Sequence, residues 1–231
     1  MITYYPGTVF NVKADAIVNT VNCDGVMGAG IALEFGLRYP KMYEDYMQKC
    51  ERSIIRIGKV DYFEDESGMI IINFPTKNHF KYPSRIEWIE MGLKDFSNSY
   101  KDHLLKSVAF PKLGTSKGGL NWEQIKPLME KYLEPLELDI TICLDETKEA
   151  EGIEKIMLDM FNDTNVDEMS SITRLNSKQK EAIKNKQPYR RFWAIEKTEG
   201  IGKKTYKALF EHYYLKAEKG NEYEQISFDF G

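Results

Sequence analysis

The run Ile17-Val-Asn-Thr-Val-Asn22-Cys-Asp-Gly25-Val-Met-Gly28-Ala-Gly30-Ile-Ala32 restricts this chain more than any other stretch. A β-branched segment that ends in asparagine, breaks into three glycines and then turns amphipathic reads as strand, tight loop and helix N-terminus. Glycines let the backbone approach a ligand closely, and the unpaired N–H groups of a first helical turn favour an anion. The spacing is not G-x-G-x-x-G and no G-K-[ST] follows, so neither the dinucleotide fingerprint nor the P-loop fits. An anion cradle of another kind is expected.

The rest of the first 145 residues repeats that alternation. Ile2-Thr3-Tyr4-Tyr5 reads as a strand closed by Pro6-Gly7, and Asp15–Asn22 as a second, buried strand. A helix begins at Ile31, is interrupted at Pro40 and resumes through Met42, Tyr43, Tyr46 and Met47. Gly58–Phe63 and Met69–Phe74 have hairpin spacing. Ser84 with Glu87 is expected to form a capping box for a helix carrying Ile86, Ile89, Leu93, Phe96 and Tyr100. Val108–Phe110 is a strand, Leu113–Leu120 a Gly-rich loop, Asn121–Leu133 a helix capped by Asn121, and Leu138–Leu144 a last strand. This order predicts an α/β/α sandwich with a mixed central sheet. In such sheets ligands sit beyond the carboxyl ends of the strands. Two Gly-rich loops that each follow a strand suit a diphosphate.

Composition narrows the function. No apolar run reaches the roughly 18 residues of a membrane helix, and no signal segment opens the chain, so a cytoplasmic protein without a membrane partner is expected. Three scattered cysteines and three scattered histidines predict neither a disulfide framework nor a metal site; no metal or cofactor is expected. Charge is segregated: residues 1–160 hold 19 Lys/Arg against 25 Asp/Glu, whereas 172–219 hold 13 against five. The basic tail is either a contact for an anionic partner or a solvated helical face.

The motifs Val18-Asn19-Thr20-Val21-Asn22, Gly25–Ala32 and Leu113-Gly114 through Leu120-Asn121-Trp122 together resemble the macrodomain family, whose members bind ADP-ribose. The added motif Asn73-Phe74-Pro75-Thr76-Lys77, followed by Ser84-Arg85-Ile86-Glu87, is similar to the DarG-type branch, DNA ADP-ribosyl glycohydrolases that act as antitoxins by removing ADP-ribose from thymidine in DNA. The resemblance implies that Lys77 is catalytic and that Asn22 orients the distal ribose at the scissile bond. It implies that Asn19 braces the loop, where a plain turn support is the alternative. It assigns Gly28, Ala29, Gly30 and Ile31 to the proximal phosphate and ribose, and Gly114, Thr115, Ser116, Lys117, Gly118 and Gly119 to the second phosphate loop. Asp24 either positions a water or merely caps the loop. Three positions depart from the family pattern: Thr8 replaces an adenine-reading Asp, Gly114-Thr115-Ser116 replaces Gly-Cys-Gly, and Gly118 stands where the glutamate-directed branch has Asp. An amine such as Lys77 attacks an anomeric carbon only when neutral, which requires a lowered pKa from burial or from neighbouring cations, with Lys81 and Arg85 as candidates.

The sequence predicts two domains, 1–161 and 166–231, separated by a linker at Asn162–Asn165. In the second, Ser177–Lys186 reads as a helix, and Ile195–Leu209, with Gly200-Ile201-Gly202-Lys203-Lys204, resembles a helix-hairpin-helix element that grips a DNA phosphate. A plain glycine turn is the alternative. Gln225–Phe230 resembles a peptide that docks on a bacterial sliding clamp, or else it is an ordinary terminal segment. Two classes of function follow: an enzyme that frees ADP-ribose from DNA and counters a DNA-modifying toxin, or a non-catalytic module holding ADP-ribose or a related nucleotide signal.

Overall fold

The computed structural model describes the backbone of residues 1–229 and the side chains of residues 1–220. It divides into two compact units, Met1–Glu146 and Thr147–Gly231. The first contains strands β1 (Ile2–Tyr5), β2 (Ala16–Asn22), β3 (Asp61–Glu64), β4 (Ile70–Lys77), β5 (Ser107–Pro111) and β6 (Asp139–Cys143). They form one sheet in the order β1-β6-β5-β2-β4-β3, parallel throughout except for the antiparallel edge pair β3–β4. Helices α1 (Gly30–Arg38), α2 (Pro40–Glu51), α3 (Ile86–Ser99) and α4 (Trp122–Leu133) complete it.

Strand side chains alternate between faces, so each strand supplies two cores. Ala16 and Val18 of β2 pack with Ile89, Leu93 and Phe96 of α3 and with Ile125 and Met129 of α4. Ile17 and Val21 join Met27, Phe35 of α1 and Met42 and Tyr46 of α2 on the opposite face. This is the expected α/β/α sandwich with a mixed sheet. A strand covered on both faces is buried along its length: β2 is buried at every position except Thr20, with apolar residues at Ala16, Ile17, Val18 and Val21 and the polar Asn19 and Asn22 buried among them.

The hairpin differs at its edges. β3 begins at Asp61, where its pairing with Asn73 of β4 begins, and β4 continues to Lys77 because β2 pairs with it as far as Asn22 opposite Lys77. Ser84 is not a helix cap: Arg85 occupies that position without a side-chain hydrogen bond, and the Ser84 N–H donates to the Gly118 carbonyl (2.8 Å). Asn121 does cap α4, accepting from the Glu123 N–H at 3.0 Å.

The second unit contains α5 (Gly152–Asp163), α6 (Ser177–Lys186) and α7 (Lys203–Asp229), and Phe161 of α5, Tyr189 and Phe192 of the segment after α6, and Phe210 and Tyr213 of α7 form an aromatic cluster. α5 lies in this unit, whereas the sequence reading placed most of it in the first. The reason is packing: Phe161 meets Tyr213 edge-on, and Asn162 bonds both the N–H and the carbonyl of Tyr189. α6 starts at a capping box between Asn176 and Gln179. No helix among the described residues is long and apolar enough to cross a membrane. The Gln225–Phe230 clamp-peptide reading concerns side chains outside the described residues.

Candidate active site

Because β2, β4 and β5 run parallel, their carboxyl ends reach the same edge of the sheet, and three connections converge there. The loop after β2 leads into α1, whose N-cap is Ala29; an alanine cannot cap, so the first-turn N–H groups of Gly30, Ile31 and Ala32 receive no side-chain acceptor there. Gly30 takes the left-handed conformation at φ +58°. Gly28 and Ala29 precede it, half-buried.

Asn22 organises this loop. Its amide nitrogen donates to the Val26 carbonyl (2.6 Å), while its side-chain oxygen accepts from the Asp24 N–H (2.9 Å) and the Tyr46 hydroxyl (3.2 Å). The same hydroxyl contacts the Asn22 carbonyl at 2.6 Å. Asn22 therefore braces this loop alongside Asn19, and keeps one amide hydrogen uncommitted. Asn19 is fully buried, donates to the Asn73 side-chain oxygen (3.1 Å) and lies 3.9 Å from the Met27 sulfur.

The loop after β5 folds as a 3₁₀ turn, Ser116–Gly118. Gly114 accepts from the Leu120 N–H, Thr115 gives its hydroxyl to the Lys112 carbonyl (3.0 Å), and Gly119 donates to Ser116. Gly118 approaches Ser84 so closely that an added Cβ would lie 2.6 Å from its Oγ. A side chain at this position, where the glutamate-directed pattern has Asp, requires Ser84 to shift. Thr8 lies apart from these loops in sequence, half-buried at the start of the 3₁₀ turn Val9–Asn11.

Lys77 closes the arrangement. It ends β4 opposite Asn22, and its ammonium donates to the carbonyl of Lys117 in the β5 loop. Lys117 also packs beside Gly30, whose added Cβ would lie 3.6 Å from the Lys117 Cγ. Partial burial, and then the neighbouring Lys117 charge, lower the Lys77 pKa. The expected neighbours are not the cause: Lys81 lies over the Phe80 ring and Arg85 over Trp88.

Sequence reasoning missed the lip beyond Lys77. His79 stacks on Phe80 (4.8 Å) and meets Tyr82 (5.0 Å), and Phe80 and Tyr82 are largely exposed. Asp24 clasps this segment to the first loop by accepting the Phe80 N–H at 2.7 Å. The signal was the clustering of three rings in 79–82. Tyr46 was also missed as a polar contributor, since in sequence it is one of several apolar-face residues.

In the tail, Lys203 and Lys204 are exposed on the first turn of α7, and Gly200 has φ +77° with its carbonyl held by Gln179 (2.8 Å). Gly202 accepts the Tyr206 N–H. The segment before this hairpin is a short 3₁₀ turn, Phe192–Ile195.

A family model for the Macro domain matches residues 18–129. A DNA ADP-ribosyl glycohydrolase of Mycobacterium tuberculosis is 45% identical over 129 residues, 54% of this chain and 37% of that one. The solved macrodomain of Mycobacterium tuberculosis DarG superposes with a TM-score of 0.61 at 40% identity, covering 62% of this chain and 97% of that structure. Thermosipho africanus DarTG in complex with ADP-ribose gives 0.61 at 31% identity, covering 67% and 44%. The chain spans under two fifths of the length of the first curated relatives it matches.

Proposed function

The chain belongs to the macrodomain family, and from that premise we propose that residues 1–146 hydrolyse the bond joining ADP-ribose to a nucleobase of DNA, in the cytoplasm. The observation that carries this reading is the position of Lys77, an amine with a lowered pKa at the point where the two glycine loops converge. The diphosphate takes the N–H groups of Gly30 and Ile31 on one side and the Gly114–Gly119 loop on the other. The remaining amide hydrogen of Asn22 goes to the distal ribose.

Neutral Lys77 attacks the anomeric carbon, the C–N bond to the base breaks, and the departing base takes a proton. Opening of the ribose ring converts the carbinolamine ether to an imine. Water then adds to the imine, releasing ADP-ribose and restoring the amine. His79, Phe80 and Tyr82 offer ring faces to the leaving base, and Lys81 a charge to a flanking phosphate. A DNA-modifying transferase is the cognate toxin this reading implies. Gly200, Gly202, Lys203 and Lys204 supply a phosphate grip in the tail, and docking of Gln225–Phe230 on a sliding clamp rests on its sequence pattern.

The second reading is a non-catalytic ADP-ribose module. It draws on the same Lys77–Lys117 hydrogen bond, which occupies the amine. Incubation of an ADP-ribosylated thymidine oligonucleotide with the wild type, Lys77→Ala and Lys77→Arg separates them. The enzyme reading expects release by the wild type and none by either variant, with free ADP-ribose still bound by Lys77→Arg. No release by the wild type refutes the enzyme, and unchanged release by Lys77→Ala refutes the lysine mechanism.

A further inference from the structure

The second unit contains a cleft of about 610 Å³ lined by Lys148, Lys186, Arg190, Lys197, Trp193 and neighbouring backbone. Its lining carries five cationic side chains, counting Arg191, and no carboxylate. Arg191 is committed: it is buried against Glu154, with both carboxylate oxygens 3.1 Å from its Nε. Arg190 pairs with Glu149 at 3.1 Å, but both side chains are mostly exposed and such a pair contributes little. Lys148, Lys186 and Lys197 have no carboxylate at ion-pairing distance among the described residues.

The walls are fixed before any ligand arrives. Arg191 donates to the Thr147 carbonyl (2.9 Å), the Ala150 N–H reaches the Arg190 carbonyl (2.9 Å), and Glu154 also accepts the Phe192 N–H (2.7 Å). On this frame Lys186 donates to the Lys197 carbonyl at 3.0 Å, and the Lys197 ammonium sits 4.2 Å from the centroid of the Trp193 ring. That indole is 40% exposed. The other large aromatics nearby, Tyr189 and Phe192, are buried in the unit's core.

Clustered cations without acid partners attract an anion, and an exposed indole among them offers a stacking face. An acidic peptide satisfies the charge but leaves the indole unused. A duplex satisfies the charge but hides its base faces. An unpaired nucleotide strand uses both, its phosphates on the lysines and one base on the ring. We propose that this cleft is a binding site for a single-stranded polynucleotide, with Trp193 as its stacking platform and Lys148, Lys186 and Lys197 as its phosphate contacts. The site lies outside the glycine loops and does not depend on their assignment.

Fluorescence anisotropy of labelled, unmodified oligothymidylate with the full chain tests it. The wild type binds the single strand more tightly than a duplex of equal length. Trp193→Ala weakens that binding about fivefold or more, as loss of one stacked base does. Trp193→Phe restores most of it, which a general packing defect would not. Lys186→Ala with Lys197→Ala lowers the salt slope by about 1.4, the value for two phosphate contacts on a single strand. Thymidylate against uridylate oligonucleotides tells whether DNA or RNA is the preferred source. Affinity within twofold of wild type for Trp193→Ala, tighter binding of the duplex, or equal competition by polyglutamate each overturns the proposal. Release of ADP-ribose from a modified mononucleoside by Trp193→Ala stays at the wild-type rate, so failure here is distinct from failure of the glycohydrolase reading.

Discussion

Gly92 lies in the middle of α3, facing Phe74 of β4, three residues before Lys77. Replacing it by alanine sets two effects against each other. An exposed helix interior gains about 1 kcal/mol from Gly→Ala. Here the new Cβ would stand 2.3 Å from Phe74 Cζ and 2.5 Å from Cε1, against an ordinary carbon contact of about 3.5–4.0 Å. Relief requires the ring to shift by more than about 1 Å. Phe74 is fully buried in the core it shares with Ile72, Ile89 and Leu93, so no free space receives it. Overpacking of this kind costs roughly 1–3 kcal/mol, and a shift this large belongs at the upper end. Gly92→Ala is therefore expected to destabilise the first unit by about 2 kcal/mol net, lowering its melting temperature by roughly 4–8 °C. The assay is urea unfolding in a Trp193→Phe background, so that fluorescence reports Trp88 and Trp122 of that unit alone. Adding Phe74→Leu removes the ring atoms that collide, and the double variant loses less than the sum of the singles by about 1 kcal/mol or more. A Gly92→Ala protein more stable than its parent would refute the packing argument.

Removing the Lys117 charge by Lys117→Met raises the Lys77 pKa, because one of the two causes that depress it is gone. The reactive species is the neutral amine, so the rising acid limb of the rate–pH profile moves to higher pH, measured by ADP-ribose release. A limb that stays in place rejects the coupling. Phe80→Ala with Tyr82→Ala is expected to raise KM for a modified oligonucleotide about tenfold or more, as lost base stacking does, while titrated ADP-ribose affinity stays within twofold. Glu154→Ala strands the buried Arg191 and costs the second unit roughly 3–5 kcal/mol, read from Trp193 fluorescence in denaturant; a loss below about 1 kcal/mol would show that the guanidinium finds another acceptor or water.

Much of the fold was legible because its signals are local. The β-branched run of β2, the glycines after β2 and β5, the Asn121 cap and the bounds of α6 depend on residues within one or two turns of each other. The family motifs lie in those same stretches, so the family could be read with them. The ends of β3 and β4 and the Ser84 position were misread for the opposite reason. β4 is lengthened by a neighbour 55 residues away in sequence, and Ser84 is claimed by Gly118.

By itself, then, the sequence determined which segments are strands, helices and glycine-rich turns, and that the chain's tail is basic. Tertiary structure alone decided which of these meet. The sheet order sets β2 between β5 and β4, and only that order brings Lys117 to Lys77 and makes one cation lower the pKa of another. It also turned Asn22 inward onto Val26 and Tyr46, moved α5 into the second unit, and gathered Lys148, Lys186, Lys197 and Trp193 around one cleft. Charge repulsion, hydrogen bonding and stacking act over a few ångströms, whereas the residues concerned are up to about fifty positions apart in the chain, and no periodicity or spacing records that distance.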